Sequence, residues 1–136
     1  MKIAVPLFGK RISPHFGASS RILLVETEGG RIISKTIMDA GTNDGGRIAR
    51  DLVSLAVTGI ICGGIQRIHK QWLTENGIEV IENCQGQAEE FVAKLVTQIE
   101  QYHQLQIKNL RFNGTIIRRR FAKIYHRKYL MRMEFE

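Results

Sequence analysis

Cysteine is scarce in this sequence. Its two cysteines, Cys62 and Cys84, are far apart and do not form a Cys-x-x-Cys pair. Two cysteines are too few for a disulfide scaffold, and their separation excludes a self-contained zinc motif. Any metal site must therefore be assembled from distant parts of the chain.

Long apolar runs and export signals are also missing. No run approaches the roughly 20 apolar residues that a membrane-spanning helix needs. The opening segment is interrupted at Pro6, too early for a signal peptide. A cytoplasmic protein without a membrane span is therefore expected by default.

The sequence lacks the patterns of common catalytic sites. It has no phosphate-binding P-loop, and it shows no paired acid and base or nucleophile and base. A two-metal nuclease site needs several carboxylates, but Asp39, Asp44 and Asp51 are spread over a strand end, a loop and a helix. The sequence gives no reason to expect an enzyme.

Acidic residues are few only at the end of the chain. Residues 1–104 hold 11 Lys and Arg against 11 Asp and Glu, whereas residues 105–136 hold 9 against 2. The last quarter therefore accounts for the whole net charge of +7. We divide the chain into a domain, residues 1–103, and a basic C-terminal extension, residues 104–136.

Hydrophobic periodicity predicts the order β-β-β-α-β-α-β-α within residues 1–103. Residues 8–20 are predicted as a loop, and the second and third strands as a hairpin. The predicted strands are Lys2–Pro6, Arg21–Thr27, Arg31–Asp39, Thr58–Cys62 and Ile78–Ile81, and the helices begin at Arg47, Gln66 and Gln87. Later strand–helix–strand units should be right-handed crossovers. This order predicts an α/β domain with a five-stranded mixed sheet.

The extension carries a hairpin signal, the Asn113-Gly114 pair within alternating residues. From Ile117 onward, apolar residues lie at helical spacing among basic ones. This pattern is compatible with a short amphipathic helix and also with a third, irregular strand. Basic residues with interleaved aromatics suit a polyanion such as nucleic acid. Three other roles for the extension stay open. It could bind an anionic membrane surface, pack on a partner subunit of a homo-oligomer, or be a solvated appendage.

Three candidate metal ligands follow predicted parallel strands. His15 lies in the loop after the first strand, Cys62 ends the fourth, and Cys84 follows the fifth. Because parallel strands end at one edge of a sheet, these side chains should share that edge. Imidazole and thiolate both bind transition metals and iron–sulfur clusters. Cys62 also reads as a small buried hydrophobe, whereas Cys84, among polar residues, should be more exposed and is the preferred thiolate.

The pair Gly63-Gly64 precedes a predicted helix. Backbone amides at a helix N-terminus attract anions, although a tight strand-to-helix turn needs glycine anyway. Gly17 should let the backbone approach a bulky ligand. His69 and His103 are expected to be solvated helix residues.

An ordered set of segments resembles the dinitrogenase iron-molybdenum cofactor biosynthesis family. The similarity covers about residues 1–102. The segments are Met1-Lys2-Ile3-Ala4-Val5-Pro6, Ile12-Ser13-Pro14-His15-Phe16-Gly17, Ile22-Leu23-Leu24-Val25, Ile61-Cys62-Gly63-Gly64-Ile65 and Asn76-Gly77-Ile78-Glu79-Val80. The family usually has a further glycine near Gln66, where this chain has Gln66-Arg67-Ile68-His69.

The resemblance implies a cytoplasmic, ribonuclease H-like domain that binds an iron–sulfur or iron–molybdenum cluster or its precursor. It implies a non-catalytic carrier, a nitrogen-fixation accessory, whose partners are proteins that donate or accept the metal cluster. The family's histidine implicated in cluster binding matches His15. We expect the binding site to include His15, Phe16, Gly17, Gly63 and Gly64, with His15, Cys84 and Cys62 as metal ligands. A nucleic-acid-binding or protein-interaction module acting through the extension is the alternative.

Overall fold

The computed structural model describes residues 1–41, 44–105, 110–112 and 115–117. Its elements follow the predicted order, with one further strand in the first loop and two in the extension. The strands are β1 (Lys2–Phe8), β2 (Arg11–Ile12), β3 (Arg21–Glu28), β4 (Arg31–Asp39), β5 (Gly59–Ile61), β6 (Glu79–Ile81), β7 (Leu110–Phe112) and β8 (Thr115–Ile117). The α-helices are α1 (Gly45–Ser54), α2 (Arg67–Glu75) and α3 (Ala88–Leu105), and a 3-10 turn covers Phe16–Ala18.

Strands β1 to β6 form one mixed sheet. The order is β4-β3-β1-β5-β6, with β2 paired to β1. β3 and β4 form the predicted antiparallel hairpin, and β1, β5 and β6 run parallel to one another. The predicted parallel neighbours, β5 and β6, are therefore confirmed, and so is the common edge at which β1, β5 and β6 end.

The prediction of five strands is wrong by one. β2 lies inside the predicted loop and folds back on the end of β1, with Leu7 opposite Ile12. β5 pairs with the first half of β1, where Ile3 and Ala4 lie opposite Gly59 and Ile60. β2 pairs with the end of β1 along the same edge. A two-residue strand has no periodic pattern of its own, so its existence depends on this distant pairing.

Helices cover both faces of the sheet. Alternate β1 residues face opposite sides, so Ile3 and Val5 pack in the core under α3, while Ala4 packs under α1 and α2. α3 contributes Leu95 and Ile99 to its side of the core. The result is a three-layer α/β domain. None of the helices in the described ranges is long and apolar enough to cross a membrane.

The predicted hairpin in the extension is confirmed. β7 and β8 pair antiparallel, with Phe112 opposite Thr115, and β7 lies beside α3. The choice between a basic helix and a third strand after Ile117 concerns residues outside the described part of the chain.

Candidate functional site

The loop that carries His15 is held against the segment after β5. The amide of Ser13 donates to the Pro6 carbonyl at 2.8 Å, which ties the loop to β1. On the other side, the amide of Phe16 donates to the Gly64 carbonyl at 2.8 Å, and His15 forms a parallel bridge with Gly64. The loop therefore fills the gap between β1 and the continuation of β5, which fixes the His15 backbone at the sheet edge.

Gly63 and Gly64 serve this close backbone approach. A Cβ at Gly63 would lie 2.6 Å from the carbonyl oxygens of Ser13 and Pro14, a distance that no side chain tolerates. The amides of Gly63 and Gly64 donate to these same two carbonyls at 3.2 and 2.7 Å. The predicted anion-binding role of these amides is wrong, because they are already paired and α2 begins only at Arg67.

The His15 side chain is exposed beside an open cavity of about 530 Å³. This volume lies within the range of roughly 300–1,000 Å³ found for small-ligand sites. We call it the His15 cavity, and its wall includes His15, Phe16, Gly17, Gly45, Gly64 and His69. Four of the five residues expected at the binding site, all but Gly63, therefore line one cavity.

His69 is the residue that sequence reasoning missed. It was expected to be solvated, but it is half-buried in the wall of the His15 cavity. Its ring centroid lies 6.2 Å from that of Phe16, at an angle of 44°. A signal was present in the sequence, because His69 lies in the segment where the chain departs from the family pattern. His103 lies on α3, and the packing of its side chain is outside what the structure describes.

Two helices begin at the cavity wall. α1 begins at Gly45, and the Asp44 carboxylate accepts hydrogen bonds from the amides of Gly46 and Arg47 at 3.0 and 3.4 Å. α2 begins at Arg67, directly after Gln66 in the wall. Helix N-termini carry partial positive charge, which the full negative charge of the Asp44 carboxylate offsets at α1, whereas no side chain caps α2. The wall therefore combines imidazole groups with the uncapped N-terminus of α2.

The two cysteines are outside this cavity. Cys62 is 0% exposed and Cys84 2% exposed, so Cys84, expected to be exposed among its polar neighbours, is buried almost as fully as Cys62. The backbone explains its burial, since the Cys84 amide donates to the Cys62 carbonyl at 3.0 Å and draws the segment after β6 into the core. Cys84 lines a neighbouring cavity of about 440 Å³, together with Gly63 and Gly64.

Both thiols are held in their protonated form. Burial first, then the neighbouring Cys84 and Glu82, raises the pKa of the Cys62 thiol to about 12. Burial, followed by the Glu82 carboxylate, raises the pKa of Cys84 to about 11. The described residues contain no group of three or more His, Cys, Asp and Glu placed to hold a metal ion. The metal-binding atoms open to a ligand in the His15 cavity are therefore those of imidazole.

Comparison with solved structures supports the fold. The crystal structure of PH0822 superposes with a TM-score of 0.68 at 19% identity, covering 71% of this chain and 89% of that one. A Methanocaldococcus jannaschii structure described as a candidate dinitrogenase gives 0.59 at 20% identity, over 71% and 88%. A Thermotoga structure described as a candidate NifB protein gives 0.57 at 21%, over 71% and 87%. At these identities the likeness establishes the fold alone.

Sequence comparison supports the resemblance noted above. An uncharacterised protein of Methanocaldococcus jannaschii is 42% identical over 45 residues, which are 33% of this chain and 38% of that protein. The match thus spans well under half of that relative. Residues 1–98, more than two thirds of the chain, match the family described as dinitrogenase iron-molybdenum cofactor. The chain therefore belongs to the dinitrogenase iron-molybdenum cofactor family.

Proposed function

We propose that this protein is a non-catalytic carrier for an iron–sulfur or iron–molybdenum cluster or its precursor. The cluster is cargo that binds in the His15 cavity. The observation that carries the proposal is the exposed His15 imidazole at an open cavity, on a backbone fixed between β1 and the continuation of β5. Membership of the family supports the class of cargo.

The chemistry of the wall suits a cargo that must leave again. Imidazole nitrogen binds iron, whereas the thiolates that hold resident iron–sulfur clusters are absent from the wall. A cluster with few protein ligands is held weakly enough to pass to an acceptor. The uncapped N-terminus of α2 at the wall favours the negative charge of a sulfide-containing cluster.

Metal ligation by Cys84 and Cys62 stays a prediction. A thiol must lose its proton to bind a metal, and the raised pKa values of both thiols oppose that step. Cys84 is the better placed of the two because it lines the neighbouring cavity. If it is a ligand, Cys84→Ala weakens cluster uptake, whereas Cys62→Ala mainly lowers folding stability.

The wider assignment follows from the family. We propose a cytoplasmic accessory of cofactor assembly, with cluster-donating and cluster-accepting proteins as its partners. The order β4-β3-β1-β5-β6, with an antiparallel hairpin beside parallel strands, supports the label ribonuclease H-like for the fold. Binding of polyanions and self-association through the extension stay predictions, since they concern residues largely outside the described part of the chain.

Anaerobic reconstitution tests the carrier function. The purified chain is incubated with ferrous iron and sulfide without oxygen, desalted, and assayed for visible absorption and bound iron. We expect the parent protein to retain a cluster and His15→Ala to lose most of it, by about tenfold or more in affinity. His103→Ala is the control, because α3 covers the other face of the sheet. Equal retention by the parent protein and His15→Ala would remove His15 from the site.

A further inference from the structure

We propose that His69 is a second imidazole contact for the ligand in the His15 cavity, and that Gly45 is glycine to make room for it. This inference rests on the proposed function, because it assigns a further residue to the same cavity. His15 comes from the loop after β1 and His69 from the first turn of α2, and both line the one cavity. A ligand between them would be held from two separate elements.

The absence of a side chain at Gly45 is explained by His69. A Cβ built there would lie 2.9 Å from Nε2 and 3.0 Å from Cδ2 of the His69 ring. The nearest other contact, the Cα of Gly17, is at an ordinary 3.5 Å. Gly45 is not among the glycines with a left-handed backbone, and alanine favours a helix more strongly than glycine does. The conflict with the imidazole is therefore the reason for glycine at the start of α1.

The His69 imidazole has a neighbour on each of two sides. The ring of the almost fully buried Phe16 has its centroid 6.2 Å from that of the imidazole, and the start of α1 is close enough that a Cβ at Gly45 would lie 2.9 Å from Nε2. A solvated histidine on an exposed helix face would have neither restraint. Packing of this kind holds a metal-binding group in place before the ligand arrives, which lowers the entropy lost on binding.

The chain offers a matched pair of variants for the test. Gly45→Ala places a methyl group against the imidazole and must displace it, without touching His15. Gly46→Ala is the control, because its Cβ would meet Asp44, Arg50 and His69 only at 3.4–3.7 Å, which is ordinary contact. Both variants put alanine in the first turn of α1, so any general effect on the helix is shared.

The probe is ferrous iron with sulfide, reconstituted without oxygen, with retained iron and the absorption spectrum as readouts. We expect His69→Ala to weaken retention about tenfold, Gly45→Ala to weaken it in the same direction, and Gly46→Ala to match the parent. His69→Cys supplies a different ligand atom, so it should retain the cluster with a changed spectrum, which a purely structural role of His69 would not produce. Thermal melting of each variant establishes that it is folded. If His69→Ala does not fold, the spectrum of His69→Cys decides, because Gly45 itself lines the cavity.

The outcomes separate this inference from the proposed function. Loss of iron in His15→Ala with parental retention in His69→Ala and Gly45→Ala overturns the role of His69 and leaves the carrier function standing. Parental retention in all three variants, or no uptake by the parent protein, removes the cavity as the binding site and both proposals with it.

Discussion

Gly63 shows how much of this fold depends on single residues at the sheet edge. Its amide and the missing side chain allow the His15 loop to pair directly with the segment after β5. Both features serve contacts between backbone segments. From the sequence alone, the position of Gly63 before a helix predicts ligand binding. A glycine needed for backbone packing and a glycine needed for ligand binding therefore look alike in the sequence.

Replacement of Gly63 by alanine should separate the two paired segments. The new Cβ would meet two backbone carbonyls at 2.6 Å, and neither can move as a flexible side chain does. We expect the free energy of unfolding to fall by about 1–3 kcal/mol, the usual cost of overpacking. Denaturant unfolding measures it.

Gly64→Ala is the matched comparison at the next position. Its Cβ would lie 3.3 Å from the Pro14 carbonyl oxygen and 3.4 Å from Nδ1 of His15, so it should cost less stability than Gly63→Ala. Equal or smaller destabilisation by Gly63→Ala would contradict the backbone account.

The buried thiols predict a pH dependence of stability. Cys62 and Cys84 have pKa values of about 12 and 11 in the folded chain, against 9.0 for an ordinary thiol. Since the folded state binds these protons more tightly than the unfolded state, this stabilisation is fully present below pH 9 and is lost as the pH rises from 9 toward 12.

Urea unfolding between pH 8 and pH 11 checks the thiol contribution. The parent protein should lose stability over this range, and the double variant Cys62→Ala with Cys84→Ala should lose less. At pH 8 both native thiols should resist alkylation until the chain is unfolded. Rapid alkylation of the native protein would show that one thiol is accessible.

The segments that follow α1 and α2 both turn through a left-handed backbone, but with different residue types. Ala56 has φ 59° just after α1, and Gly77 has φ 85° just after α2. Glycine adopts this conformation without strain, but alanine carries a Cβ that crowds the following carbonyl. The end of α1 is therefore a local site of strain.

Exchanging the two residue types should have opposite effects. Ala56→Gly should raise the free energy of unfolding by up to about 1 kcal/mol, and Gly77→Ala should lower it by about 1 kcal/mol or more. Thermal and denaturant unfolding measure both changes. Changes of the same sign in the two variants would show that something other than the backbone conformation governs these positions.

The net positive charge of the molecule and its described hydrophobic core come from different parts of the sequence. Residues 1–104 are neutral in sum, while residues 105–136 carry the net charge of +7. Among the residues whose burial the structure describes, which end at Glu100, the core clusters run from Met1 to Ile99. Within the described part of the extension, β7 lies beside α3. Folding and binding to polyanions should therefore be separable by shortening the chain.

A chain ending at Leu105 should fold and lose its retention on heparin. Electrostatic binding releases counterions, so the full chain should elute at a salt concentration well above that of the shortened one. Replacing Arg118, Arg119 and Arg120 by serine in the full chain should give an intermediate value. Tight retention of the shortened chain would refute the electrostatic role, and its aggregation or a much lower melting temperature would show that the extension stabilises the fold.

Most of the secondary structure, the parallel edge and the family could be predicted from the sequence alone, whereas β2 could not. These features follow from local periodicity, from turn signals such as Asn76-Gly77 and Asn113-Gly114, and from an ordered set of short segments. Each signal lies within a few neighbouring residues, so it can be recognised without knowing what packs against it. The position of His15 at that edge was predicted in the same way, because it lies in the loop after the first strand.

Which groups line the His15 cavity and which are buried depends on packing between distant parts of the chain. The burial of Cys84, the pairing of Gly63 and Gly64 with Ser13 and Pro14, and the place of His69 against Gly45 all depend on contacts between residues far apart in the chain. A helix pattern shows that His69 is on α2, but the wall it joins is built from the start of α1 and the loop after β1. Side-chain exposure at such a junction is set by packing, which local sequence does not encode.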